Sequence, residues 1–321
     1  MYIGNDVIES FYQNVLAEGI NTELCAESGL KVVYTPLNGT GNKPVREILK
    51  RIGINDVTVV KEQENPDGNF TTCPYPNPEI REALEVALGY CEKIQPDLLL
   101  ATDPDCDRVG IAVPDGKGGF ALFSGNEVGA MLLEYICTQR IRKGTMPENP
   151  VAVKTIVTTD IVYSIAKEYG VEVIDVLTGF KFIGEQIKLL EDKGEEKRYI
   201  FGYEESYGYL PGTYARDKDS IASALLLSEC AAYLKSKGLV FADYLEEIFQ
   251  RYGYYYDKTK SITIKGLAGM AKIAEIMKYF RDNPLTQIGG IDVAKRLDFQ
   301  NDTIYDCKDN VYALPPSNVI Q

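Results

Sequence analysis

Apolar residues recur along this chain with two alternating periods. Near the start, Ile8, Phe11, Tyr12 and Val15 fall three or four apart, which predicts one face of a helix. "KVVYTP" (31–36) reads as a strand, and "LNGTGNKP" (37–44) as a turn. Pro44 suits the first turn of a helix, and Val45, Ile48, Leu49 and Ile52 give that helix a buried stripe. "VTVV" (57–60) is a short apolar strand. "CPYPNPE" (73–79) is a proline-punctuated loop before a helix with Ile80, Ala83, Leu84, Ala87 and Leu88 inward. "DLLLAT" (97–102) is the next strand, and it runs into Asp103, Asp105 and Asp107.

The order then repeats. "VAVKTIV" (151–157) is a strand, and Asp160 stands where it can cap a helix carrying Ile161, Ser164, Ile165 and Tyr169. "VEVIDVL" (171–177) is a strand, "TGFKFIGEQIKLLE" (178–191) a turn plus helix, and "RYIFGY" (198–203) a strand ending on "EES" (204–206). Residues 31–107 and 151–206 therefore share the order β-α-β-α-β, each closing on an acidic turn. Such a pattern predicts α/β sheets that bind ligands at the carboxyl ends of their strands, with both turns on one cleft. Beyond them, Leu245, Ile248, Phe249 and Tyr252 form a helical stripe, and "YYYDKTKSITI" (254–264) reads as extended. Ile273, Ile276, Met277 and Phe280 mark another helix, and "GGIDVAKRLDF" (289–299) and "NVYALPPSNVI" (310–320) look like strands. This is the beginning of a third, α+β unit. Both ends of the sequence are abrupt, as in a piece of a longer protein.

Composition narrows the function classes. The 321 residues carry a formal charge of −13, which argues against a broad nucleic-acid or anionic-membrane surface. No apolar run approaches the roughly 20 residues of a membrane span. Seven cysteines lie scattered without a CxxC pair, the usage of reduced thiols in a cytoplasmic protein. Histidine is absent, so acid–base work falls to other side chains and His-based triads and metal sites are excluded.

Three carboxylates at alternate positions after a core strand need a reason, because like charges repel and resist burial. In an extended segment residues two apart point the same way, so Asp103, Asp105 and Asp107 converge if the loop stays extended. Three hard oxygen ligands with open positions suit Mg²⁺, and Arg108 directly behind them offers a planar fork for a phosphoryl group. The bland alternative is a solvated acidic turn. Cys106 reads as a spacer, since a thiolate among carboxylates is disfavoured.

The full set of motifs resembles the α-D-phosphohexomutase family, the phosphoglucomutases and phosphomannomutases. Asp103-Pro104-Asp105-Cys106-Asp107-Arg108 looks like its metal loop, and Gly202-Tyr203-Glu204-Glu205-Ser206-Tyr207-Gly208 like its sugar-recognition loop. Thr178-Gly179-Phe180-Lys181-Phe182 and Arg216-Asp217-Lys218-Asp219 are similar to two further family segments, and all occur in family order. The bacterial phosphoglucomutase branch is the most similar.

The resemblance implies two similar three-layer α/β domains with mixed sheets, at 1–124 (metal-binding, domain II) and 125–257 (sugar-binding, domain III). A partial α+β domain IV follows at 258–321. It also implies that the phosphoserine domain and the C-terminal phosphate loop lie outside this chain, since no histidine is present for the usual serine loop and Pro315-Pro316-Ser317-Asn318 is not the phosphate loop. The implied reaction interconverts sugar 1-phosphate and 6-phosphate, most naturally glucose phosphates, through glucose 1,6-bisphosphate with Mg²⁺.

In that reading Asp103, Asp105 and Asp107 hold the metal. Arg108 and Lys181 are the catalytic residues, Arg108 beside the phosphoryl group and Lys181 pointing into the cleft, and Glu204 and Ser206 bind sugar hydroxyls. Thr178, Gly179, Arg216 and Lys218 contact the substrate. The residues by themselves leave ordinary roles open: a capped turn for "EES" and Thr178-Gly179, and a solvated face for Lys181 and the "RDKD" run, whose basic residues could also grip a phosphate; Lys154 follows a similar strand-end logic as a weaker candidate. Two rivals remain. One is a haloacid-dehalogenase-like phosphatase with Asp103 as nucleophile and Asp105 as acid. The other is a fragment that binds metal and sugar phosphate without turnover, which is the expectation for this chain alone.

Overall fold

The structure, a computed structural model, describes residues 3–321 apart from residues 259, 261, 263, 265, 301–303, 308–309 and 314, and apart from the side chains of 267, 304–307 and 310–313. It divides into two compact units, Met1–Tyr255 and Tyr256–Gln321.

The first unit opens with helices α1 (Asn5–Ala17) and α2 (Glu23–Glu27). A five-stranded sheet follows, built from β1 (Lys31–Thr35), α3 (Asn42–Arg51), β2 (Asp56–Val59), α4 (Lys61–Glu64), α5 (Glu85–Ile94), β3 (Leu98–Thr102), β4 (Val109–Pro114) and β5 (Phe120–Leu122). Its strand order is β2-β1-β3-β4-β5. β1 pairs parallel with β2 and β3, whereas β3–β4 and β4–β5 are antiparallel. Every residue of β3 is buried, because the strand is central and covered on both faces.

Helix α6 (Gly125–Lys143) leads to the second sheet: β6 (Val151–Thr155), α7 (Ile161–Tyr169), β7 (Glu172–Val176), α8 (Phe180–Asp192), β8 (Tyr199–Glu204) and β9 (Gly208–Leu210). Its order, β7-β6-β8-β9, repeats that of the first, with β6 parallel to β7 and β8 and β8 antiparallel to β9. The predicted β-α-β-α-β repeat is thus present twice. Each acidic turn is the bend of a hairpin from the last parallel strand into an antiparallel one.

Two helices, α6 and α9 (Ser220–Ser236), are buried nearly all round. α9 follows the second sheet in sequence but packs on α2, α3, β3 and β4 of the first. At its far end Lys235 Nζ donates to Asp97 Oδ2 (2.8 Å) and to the Gly29 carbonyl (2.9 Å). Helix α10 (Phe241–Tyr252) closes the unit, and its last turn is tied to α6 by Tyr252 Oη donating to Glu134 Oε2 (2.9 Å).

The second unit contains α11 (Leu267–Asp282) and two antiparallel hairpins, β10 (Gln287–Ile288) with β11 (Ile291–Asp292) and β12 (Ile304–Cys307) with β13 (Asn310–Ala313). "GGIDVAKRLDF" is largely not a strand: only Ile291–Asp292 pairs within it, beyond the Gly289-Gly290 bend, and Asp298 makes a single bridge with Ile320. In "YYYDKTKSITI" the described residues form no regular element, and the others lie outside the described residues. Among the described residues, no helix is long and apolar enough to cross a membrane. Six cysteines are free and buried, and the Cys307 side chain lies outside the described residues.

Candidate functional site

Asp103 sits at the end of β3 and is 6% exposed. Its Oδ1 accepts the backbone N–H groups of Asp107 and Arg108, both at 3.0 Å. These bonds fold the loop back on itself. Cys106 takes the left-handed conformation (φ 63°), and its N–H donates to the Asp103 carbonyl at 3.0 Å. The aspartates therefore do not converge through an extended loop, as expected from the alternation, but through this turn. They converge nonetheless: one carboxylate oxygen from each of Asp103, Asp105 and Asp107 lies within 4.8 Å of the others. Burial, then the charges of Asp107 and Asp105, push the Asp103 carboxyl up to about 7, against the pull of the Arg108 N–H. A cluster of hard oxygen donors with mutually repelling charges, Asp103 buried, Asp107 half-buried and Asp105 exposed, fits a divalent cation. Burial also pushes the Cys106 thiol well up, in keeping with a spacer.

A second loop props the first. The Pro104 carbonyl accepts the Thr40 N–H (2.8 Å) and its hydroxyl (3.1 Å). A Cβ on Gly39 would run into the Pro104 backbone. Gly39→Ala is therefore expected to destabilise the chain by about 2 kcal/mol and to weaken divalent-cation binding with it. Unchanged melting temperature and affinity would show that the contact does not set the loop.

The "EES" turn is the matching hairpin bend, and it too holds a left-handed residue, Tyr207 (φ 64°). The Tyr207 carbonyl accepts the Val109 N–H at 3.0 Å, so the two acidic turns are joined backbone to backbone. Glu204 is buried, and its Oε1 accepts the Gly179 N–H at 2.9 Å, which brings in the start of α8. Burial raises the Glu204 carboxyl, and the nearby Lys218 charge opposes this. Ser206 Oγ lies 3.5 Å from Glu204 Oε2. Lys218 Nζ pairs with Asp107 Oδ2 at 2.9 Å. Arg108 reaches Glu79 Oε1 at 3.3 Å, with its Nε 3.7 Å from Asp103 and 3.8 Å from Asp107.

So the structure brings together Asp103, Asp105, Asp107, Arg108, Gly179, Glu204, Ser206 and Lys218. The other candidates lie differently. Thr178 is exposed, and Lys181 is exposed on the first turn of α8 with its Nζ 4.9 Å above the Phe182 ring. Arg216 is held at the surface by Glu191 and by the Thr213 and Ala215 carbonyls. Lys154 is a buried structural cation, 3.3 Å from Asp175 and 3.6 Å from Asp160, bonded to the Thr155 and Thr158 carbonyls.

Sequence reasoning passed over Glu79, Glu205 and Thr155. Glu79 follows the proline-rich loop and orients Arg108. Glu205 Oε2 accepts from Thr155 Oγ1 (3.1 Å) and Thr158 Oγ1 (3.3 Å), pinning the "EES" turn to the end of β6. The available signal was positional, because Thr155 stands at the carboxyl end of a parallel strand.

Comparison with known proteins decides the family. The model for phosphoglucomutase/phosphomannomutase alpha/beta/alpha domain II matches residues 9–117, and that for domain III matches 124–252. The chain belongs to the phosphohexomutase family. A Staphylococcus aureus (strain MRSA252) phosphoglucomutase is 39% identical over 298 residues, covering 92% of this chain and 53% of the relative. The chain thus spans about half the length of the curated relatives it matches. Among solved structures, a phosphomannomutase-like protein from Thermus thermophilus aligns with TM-score 0.62 and 27% identity, over 80% of this chain and 55% of that one. The open form of pp63/parafusin, a Paramecium phosphoglucomutase, aligns with TM-score 0.59 and 18% identity, over 96% and 51%, a likeness of fold. These family members share the mixed α/β domains described above, and their names are those of isomerases.

Proposed function

We propose that the whole protein is a phosphoglucomutase-type mutase that interconverts sugar 1-phosphate and 6-phosphate through a bisphosphate. The observation that carries this reading is the junction of the two acidic turns. An oxygen-donor cluster (Asp103, Asp105, Asp107) and a buried carboxylate (Glu204) meet through the Val109–Tyr207 backbone bond and Lys218. We assign residues 1–124 to domain II, 125–257 to domain III and 258–321 to part of domain IV.

Asp103, Asp105 and Asp107 would hold Mg²⁺, which when bound neutralises charge at a transferring phosphoryl group. Arg108, oriented by Glu79, presents its guanidinium beside the cluster as a phosphate clamp. Its permanent charge makes it a poor acid and a good electrostatic stabiliser. Glu204, fixed by the Gly179 N–H, accepts from two adjacent sugar hydroxyls, and Ser206 adds a donor. A carboxylate tolerates exchange of those hydroxyls, as a sugar that turns over between two transfers requires. Thr178, Lys181 and Arg216 lie on the α8 side and are assigned to the outer phosphate of the substrate. The favoured ligands are glucose 1-phosphate, glucose 6-phosphate and glucose 1,6-bisphosphate, and the compartment is the cytoplasm. The phosphatase alternative leaves the joined "EES" turn, with Glu204 on the Gly179 N–H and Lys218 on Asp107, without a role.

On this chain alone the reading is binding without turnover. A ³¹P NMR time course with Mg²⁺, glucose 1-phosphate and a little glucose 1,6-bisphosphate should show shifted or broadened lines and no new species. Released inorganic phosphate would favour the phosphatase. Glucose 6-phosphate would show that the chain turns over by itself. Asp105→Asn should weaken Mg²⁺ binding several-fold by calorimetry. Glu204→Gln should weaken glucose 1,6-bisphosphate by about tenfold, the worth of a charged hydrogen bond, while Mg²⁺ affinity moves by no more than a few-fold. Equal affinity for the sugar would remove Glu204 from the site.

A further inference from the structure

Lys218 lies between the two acidic turns and the start of α8. Its Nζ lies 2.9 Å from Asp107 Oδ2 and 3.0 Å from Asp217 Oδ1, and 5.5 Å above the Phe180 ring at the start of α8. Its stem crosses Gly208, where any Cβ would collide with Lys218 Cδ and Cγ. The residue after the "EES" turn is thus kept without a side chain where this lysine passes. The Lys218 ammonium is also the opposing charge on buried Glu204. The side chain is largely buried, at 13% exposure, although a surface lysine could reach water freely. Something specific therefore holds it inward, and the nearest group is an aspartate of the cation cluster.

Three carboxylates within 4.8 Å of one another carry a strong mutual repulsion that an ion or a cationic side chain can relieve. In the chain's own atoms, Lys218 and Arg108 supply that relief. A lysine is suited to a reversible version of the role: its charge is a point on a flexible stem, and it has no bidentate geometry to give up.

We propose that Lys218 is a built-in counter-cation of the Asp103–Asp105–Asp107 cluster, and that it and a divalent cation compete for Asp107. This rests on the reading of the triplet as a cation site. The ammonium holds the turn in shape when the cluster has no ion. When a divalent cation is bound, Lys218 loosens its hold on Asp107 and turns its charge toward Glu204 and the sugar loop. Cation loading thereby changes the electrostatics of the hydroxyl-binding carboxylate. The two half-sites are coupled through one side chain.

The test is calorimetric titration of the full chain with Mg²⁺ alone, in the parent protein and in Lys218→Met, which retains an unbranched stem over Gly208 and against Phe180. Removing a positive charge next to the cluster should tighten Mg²⁺ by about three- to tenfold at low ionic strength, and less in high salt. Unchanged or weaker binding by Lys218→Met overturns the proposal. Asp105→Asn runs alongside as the control on the cation site itself. If it binds Mg²⁺ as well as the parent, the triplet reading has failed rather than the lysine's role. A second measurement needs no variant at Lys218 beyond one used for assignment. In protein labelled with ¹³C at lysine Cε, the Lys218 resonance, assigned by its loss in Lys218→Arg, should move along the Mg²⁺ titration and saturate with it. A resonance that stays still while Mg²⁺ binds overturns the proposal even if Lys218→Met is poorly folded.

Discussion

Asp103→Asn is expected to weaken Mg²⁺ binding by about a hundredfold and to flatten the pH dependence of folding stability by one group's share. The two effects have one origin. Asparagine keeps a carbonyl oxygen where Asp103 Oδ1 accepts the Asp107 and Arg108 N–H groups, so the turn keeps its bonds. What is lost is the charge. In the parent chain burial and the neighbouring aspartates raise the Asp103 carboxyl from 3.8 to about 7. The folded state then holds its proton more tightly than the unfolded state does. Stability from this group is full below about 4 and is lost as pH rises towards about 7, at up to about 1.4 kcal/mol per pH unit. Mg²⁺ affinity runs the opposite way, rising over the same window as the proton leaves. Glu18, raised by burial to about 7, adds a slope of the same sign, so the metal-free parent is steeper than a single group would make it. Urea denaturation of metal-free protein at pH 5 and pH 8 measures the difference between parent and variant. Parallel profiles, or a variant that binds Mg²⁺ within a few-fold of the parent, would detach Asp103 from the cluster's chemistry.

What the sequence reveals depends on how each residue is covered. Strands β1, β3, β6 and β8 are legible because they are short apolar runs with turn signals on both sides. Helix α3 is legible because one face meets solvent, leaving Val45, Ile48 and Leu49 as a stripe. Helices α6 and α9 show no such stripe, because both sides are covered. Their apolar residues occupy all faces, and the polar ones that remain, such as Glu134, Ser223 and Glu229, are buried too. For the same reason nothing in the sequence shows that α9 returns to pack on the first sheet.

The site was legible in its charged residues and not in its backbone. Three aspartates and an arginine stand out in the sequence as candidates for a cation and a phosphate. That the loop would close through Cys106 and Tyr207 in left-handed conformations could not be read, because glycine or asparagine usually marks such positions. Strain of this kind at two facing hairpin bends, in non-glycine residues, accords with a site whose geometry is held by its surroundings. Thr40 against Pro104 and Thr155 and Thr158 against Glu205 are those surroundings. They come from segments 64, 50 and 47 residues away in sequence, as a local pattern could not disclose.

The other large effect lies away from the cluster, at Glu229. Its carboxylate is fully buried on α9, and burial raises it. It accepts the Ile20 N–H at 2.9 Å through Oε2 and the Tyr135 hydroxyl at 2.8 Å through Oε1. Tyr135 in turn accepts from Asn21 Nδ2 at 3.2 Å. One side chain therefore fastens the α1–α2 connection and α6 to the helix that sits on the first sheet. Glu229→Ala leaves a buried N–H and a buried hydroxyl without their acceptor and opens a cavity beside them. The expected loss is about 3–5 kcal/mol at pH 7 by reversible urea denaturation. Glu229→Gln keeps an oxygen for Ile20 and sheds the burial cost of a charge, so it should lie within about 1 kcal/mol of the parent and gain on it as pH rises. A Glu229→Ala chain as stable as the parent would mean that water satisfies the freed groups and that α9 is held by apolar packing alone. A Glu229→Gln chain as weak as Glu229→Ala would instead show that the negative charge itself, not the hydrogen bonds, binds these three elements together.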